Sequence, residues 1–233
     1  MMSKLPPWVE TGGFVLALIA GSVNAIGLLG FKHQAVSHLT GTSTLLGEEL
    51  VRGDWGTCIH LLFILVSFIL GAAASGIIVQ NSALKLGRRY GVALLLEAGL
   101  LLAAMITLNA GSTLGHFLAS AACGLQNAMA STYSGAVIRT THVSGLFTDL
   151  GVMLGTRLRG VDIDRRRVKL YLLLIAGFIA GSALGTFGYE QLMFSALLIP
   201  SGIAFMLAAT YWSYWFIGER RKAVFAPDSE SPK

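Results

Sequence analysis

Residues 55–84 read WGTCIHLLFILVSFILGAAASGIIVQNSAL, and no Asp, Glu, Lys or Arg interrupts them. A helix that crosses the hydrocarbon of a bilayer needs about 20 mostly apolar residues. Other stretches repeat the pattern. Ala98 to Ile138 carries no charge, nor does Tyr171 to Tyr189, and after Glu190 the next charged residue is Glu219. Of the 233 residues, 54% are hydrophobic and 12% charged, and the mean hydropathy is +0.68. A soluble domain carries about 25% charged residues. The chain therefore reads as an all-α membrane protein, whose backbone polar groups are satisfied inside helices.

Hydropathy predicts six spans, near 11–31, 57–80, 90–109, 113–137, 170–188 and 192–217. The first is expected to be a retained helix rather than a signal peptide, since no small-residue cleavage site follows it. Asn109-Ala-Gly-Ser-Thr113 forms a tight turn between the third and fourth spans, and Gly188-Tyr-Glu-Gln191 joins the fifth and sixth. From Glu219 a polar tail is expected to be disordered. Besides Lys233 at the end of the tail, fourteen of the seventeen basic residues fall on one side of this arrangement. They are Lys4, then Lys85, Arg88 and Arg89, then Arg139, Arg157, Arg159, Arg165, Arg166, Arg167 and Lys169, and finally Arg220, Arg221 and Lys222. Cationic loops stay cytoplasmic, so both termini are expected there. Trp8, Trp55, Trp212 and Trp215 lie near span ends, as interfacial anchors do. The net charge of +5 thus sets topology and does not call for nucleic acid.

Self-similarity divides the chain in two. Gly21-Ser-Val-Asn24-Ala25, Ser37-His38-Leu39-Thr40-Gly41 and Leu46-Gly47 are followed later by Gly124-Leu-Gln-Asn127-Ala128, Thr141-His142-Val143-Ser144-Gly145 and Leu150-Gly151. The first motif repeats at an offset of 103 and the others at 104. Each copy would contain three spans, an odd number, so the second copy enters the membrane from the opposite face. This is the inverted repeat of many transporters and some channels. Residues 1–110 form the first repeat, 111–218 the second and 219–233 the tail. After the first span of each repeat a short helix is predicted, near 42–51 and 145–158, starting at the hydroxyl residues that suit an N-cap. Either these are half-helices whose N-termini meet near the midplane, or they are surface helices at the interface.

The candidate substrate-binding residues follow from the motif: Asn24, His38, Thr40, Gly41, Asn127, His142, Ser144 and Gly145. Asn24 and Asn127 either line a polar site or join helices by hydrogen bonds. His38 and His142 either titrate in a site or bond to a helix start. Glu97, in LLLEAGLLL, is the one acidic residue deep in a span. A carboxyl group in hydrocarbon is costly, so it is either a coupling group for protons or cations or a neutral group bonded to a neighbouring helix. Gly71, Gly76, Gly177, Gly181 and Gly185 give small faces for close helix packing. His33, His60 and His116 lie near span ends. Cys58 and Cys123 stand apart without ligand-spaced partners and read as packing residues. No Walker A loop, HExxH, GxSxG or paired catalytic carboxylates occur. No enzyme activity, catalytic residue, cofactor or metal is expected.

At the same residues the chain resembles the YoaK-type bacterial inner-membrane proteins, a domain-of-unknown-function family. Gly21-Ser-Val-Asn24-Ala25-Ile-Gly-Leu, Val36-Ser-His-Leu-Thr-Gly-Thr42 and Gly124-Leu-Gln-Asn127-Ala128 carry the likeness, which extends from about Gly12 to Trp215. The resemblance implies a bacterial inner-membrane location and the six-span fold. Two positions depart from the family pattern: Asn24 stands where Asp is common, and Thr42 where Asn is common. The reading is then a small secondary transporter or facilitator of a small polar or anionic solute. Its alternatives are a passive channel of two half-helices and a non-transporting scaffold or sensor. Expected partners are the lipid bilayer, the solute and a second copy in a homodimer, with no nucleic acid.

Overall fold

The computed structural model describes residues 8–30, 36–79, 88–134 and 139–224. Lys4, Lys32, His33, Lys85 and the tail from 225 lie outside the described residues, as do the side chains of Trp8, Arg88 and Trp215. The described residues form eight α-helices, one 3-10 segment and no strand. The helices are α1 (Trp8–Gly30), α2 (Leu39–Arg52), α3 (Trp55–Val79), α4 (Arg88–Asn109), α5 (Leu114–Ser134), α6 (Val143–Leu158), α7 (Arg165–Leu192) and α8 (Leu198–Val224). Four helical stretches are long and apolar enough to cross a membrane: Glu10–Gly30, Trp55–Val79, Arg89–Asn109 and Arg165–Ser213. The last contains both α7 and α8 with the 3-10 segment Met193–Leu197 between them. α5 falls outside the four because His116, Gln126 and Asn127 dilute its apolar residues.

The outer surface is apolar. On α3, Cys58, Leu61, Ile64, Gly71, Ser75 and Val79 are buried, while Ile69, Leu70 and Ile77 are more than 60% exposed. A helix apolar on every face suits a lipid surround. α1 packs on α7, α3 on α5, and α4 on both α5 and α8; the short α2 lies on α3 and the short α6 on α7.

Glycine sets the closest of these crossings. A Cβ on Gly21 would strike the Phe178 carbonyl oxygen, and one on Gly124 the Phe68 carbonyl oxygen. A Cβ on Gly181 would strike the Leu18 carbonyl and one on Gly71 the Ala121 carbonyl. Gly177 and Gly185 extend the α1–α7 contact against Phe14 and Ser22. Gly76, expected to share this packing, faces open space. Gly76 lies five residues beyond Gly71, about 1.4 helical turns, so it is rotated by about 140° out of the α5 contact.

The ends of the elements have local causes. The turn at 110–113 forms as expected, with Gly111 at φ 78°, a left-handed conformation that favours glycine. Asp54 starts α3 by accepting from Thr57 N at 3.1 Å and Thr57 Oγ1 at 2.7 Å. Asp164 caps α7 by accepting from the backbone of Arg166 and Arg167, so that helix begins five residues before the predicted span. The predicted joint at Gly188–Gln191 is instead continuous helix. Gly188 is packed against Ile199 and Ala196, and the chain turns only at Met193, whose φ is 51°. The predicted polar tail is also shorter than expected, since α8 runs on through Glu219–Lys222 to Val224.

Candidate functional site

The two short helices begin in the same way. α2 starts at Leu39 and α6 at Val143, so the N-cap positions are His38 and His142, not the hydroxyl residues Thr40 and Ser144 two places on. His38 Nδ1 accepts from Gly41 N at 3.1 Å, which satisfies a free donor of the first turn. The hydroxyls of this region turn back along the helix instead: Thr44 Oγ1 donates to Thr40 O and Thr148 Oγ1 to Ser144 O, both at 3.0 Å. Gly41 and Gly145 leave room for the histidine rings, since a Cβ on either would strike the ring of His38 or His142. The His142 side chain makes no cap hydrogen bond.

These starts share one cavity of about 410 Å³. Its walls include Asn24, His38 and Thr40 from the first half and Asn127, His142 and Ser144 from the second. Six of the eight motif residues singled out in the sequence therefore meet around one space. Gly41 is not in the wall, and Gly145 lines a neighbouring cavity of about 280 Å³. Glu97 is not in the wall either. It is 2% exposed within α4, and its Oε2 has no hydrogen-bond partner.

Asn24 and Asn127 differ in their bonding. Asn24 Oδ1 accepts from Ser37 Oγ at 2.6 Å, and Ser37 also lines the cavity. Asn127 Oδ1 is buried and has no hydrogen-bond partner. Beside it Gln126 points the other way, donating from Nε2 to Leu16 O on α1 at 3.0 Å and accepting from Thr140 Oγ1 at 3.4 Å. Gln126 is thus a helix-joining residue. Thr42, the second departure from the family pattern, is 2% exposed inside α2 and donates to His38 O at 3.4 Å.

Sequence reasoning missed Phe68, Phe178, Ser131 and Arg139, which also line the cavity. A signal for the phenylalanines was present. Phe68-Ile-Leu-Gly71 and Phe178-Ile-Ala-Gly181 repeat the same spacing, and their glycines make the close crossings described above.

The fold and cavity define a helical bundle with membrane-length apolar helices and a polar space at the starts of two short helices. The chain belongs to the family described as protein of unknown function, DUF1275, which matches residues 12–210. The YoaK-type resemblance is consistent with that membership. No curated protein and no solved structure matches the chain.

Proposed function

We propose that this chain is a bacterial inner-membrane protein of six spans, built as two inverted three-helix repeats, which binds and moves a small polar or anionic solute. The observation that carries the reading is the matched wall of the cavity. Asn24 faces it with Asn127, His38 with His142, Thr40 with Ser144, and Phe68 with Phe178. A site built from corresponding residues of two halves is what inverted-repeat transporters use.

The packing supports the repeat. Gly21 and Gly124 are 103 residues apart, and so are Leu18 and Ala121; Phe68 and Phe178 are 110 apart, and so are Gly71 and Gly181. The α1–α7 and α5–α3 crossings therefore join equivalent residues in equivalent ways. Six spans also suit the lengths. The apolar stretch Arg165–Ser213 has 49 residues. As one helix it would reach about 70 Å, against about 30 Å of hydrocarbon. Two spans, α7 and α8, use it better. The basic residues around the α6–α7 connection and in the C-terminal end of α8 favour cytoplasmic termini. Glu97 is the proposed coupling carboxyl, because a buried acid without a partner is costly to keep.

A thermal-shift screen of the purified, detergent-solubilised protein tests this reading. The compounds are small anions, amino acids, nucleobases and metal ions, and the variants are Asn24→Ala and Ser144→Ala. A ligand that binds only the folded form raises its apparent stability. We expect one class to stabilise the parent and to lose that effect in both variants. No shift with any class would contradict solute binding. Reconstituted vesicles then separate carrier from channel, since only a carrier gives saturable uptake with counterflow.

A further inference from the structure

Arg139 reads in the sequence as one of several topology-setting cations, but this exposed residue lines both cavities. In the smaller one the charges other than Arg139 already match. Asp149 lies 3.7 Å from Arg167, and Arg167 Nε donates to Tyr171 Oη at 2.7 Å. Arg139 has no hydrogen bond or ion pair with any described residue. No Asp or Glu lines the larger cavity among the described residues. The positive ends of α2 and α6 open on it as well, through Leu39, Thr40, Val143 and Ser144. The wall therefore carries one guanidinium without an ion pair and, among the described residues, no carboxylate; the groups around it are amides, hydroxyls, imidazoles and apolar side chains.

Size narrows the class. A space of about 410 Å³ is that of a small-molecule site and is far larger than a bare inorganic ion needs. Phe68 and Phe178 supply apolar surface for a carbon skeleton. We propose that the solute is a small organic monocarboxylate, its charged end held by Arg139 and its body lying against Phe68 and Phe178. A guanidinium suits this because its fork binds both carboxylate oxygens at once. This assignment rests on the solute-binding reading above and adds to it the charge of the solute and the residue that selects it.

The test is thermal shift of the full chain with acetate, lactate and benzoate beside acetamide, lactamide and benzylamine, using the parent, Arg139→Gln and Arg139→Lys. The acids should stabilise the parent and the matched amides and amine should not. Arg139→Gln should melt like the parent without ligand, yet bind the acids about tenfold more weakly or worse, since a charged hydrogen bond is lost. Arg139→Lys should recover part of the response. Amides or amine that stabilise as well as the acids, or a Gln variant that keeps the full response, would overturn the carboxylate assignment. So would a parent that ignores this panel but responds to another class in the broader screen, which would leave the binding cavity standing. A parent that responds to nothing in either set would overturn both.

Discussion

Asn24 and Asn127 occupy corresponding places yet should behave differently when truncated. Asn24→Ala strips the partner from Ser37, which is 5% exposed. Leaving a buried hydroxyl unsatisfied costs about 1–3 kcal/mol. Asn127→Ala removes an oxygen that has no partner. Its melting temperature should therefore fall less than that of Asn24→Ala, while both variants lose ligand response; equal destabilisation would contradict the bonding difference. Glu97 gives a second contrast. Exchanging an unpartnered buried polar group for an apolar one of similar size is neutral or stabilising. Glu97→Leu should melt no lower than the parent, and Glu97→Gln should abolish the pH dependence of uptake. Uptake with an unchanged pH profile would remove Glu97 from the coupling role. At this scale the sequence is informative where a polar residue interrupts an apolar run or a motif recurs, which is why Asn24, His38 and their counterparts stood out. Phe68 and Phe178 carried contrast only through their shared Phe-x-x-Gly spacing, and Arg139, one arginine among many cations, carried none until the fold brought it to the cavity wall.

Among the elements, the helix crossings depend on which glycines face a neighbour. Gly181→Ala would press a methyl group into the Leu18 carbonyl and Gly71→Ala one into the Ala121 carbonyl. Each backbone must shift to make room, at a cost of about 1–3 kcal/mol. Gly76→Ala has open space around it and should instead stabilise the helix by about 0.5–1 kcal/mol. Melting curves of the three variants check this ordering, and a destabilised Gly76→Ala would contradict it. Composition alone could not separate these glycines, because all three sit in equally apolar surroundings; the distinction lies in helix rotation. The short helices were placed within a few residues by their motifs. Their caps were misplaced because a hydroxyl is the commoner N-cap, whereas here the histidine precedes the first turn and the glycine three residues on makes room for its ring.

Over the whole molecule, the central claim is that two oppositely oriented halves bring their short helices to one shared space. Single-cysteine labelling addresses it directly. The native Cys58 and Cys123 are free but buried, so background labelling should be low. Thr40→Cys and Ser144→Cys would each be tested in sealed, oriented vesicles with a membrane-impermeant maleimide added to one side and then the other. Both residues line the same cavity. The account predicts that both variants label from the same face and that a bound ligand slows both reactions. If Thr40→Cys labels only from one face and Ser144→Cys only from the other, the short helices lie on opposite surfaces of the membrane and the shared cavity is not the working site.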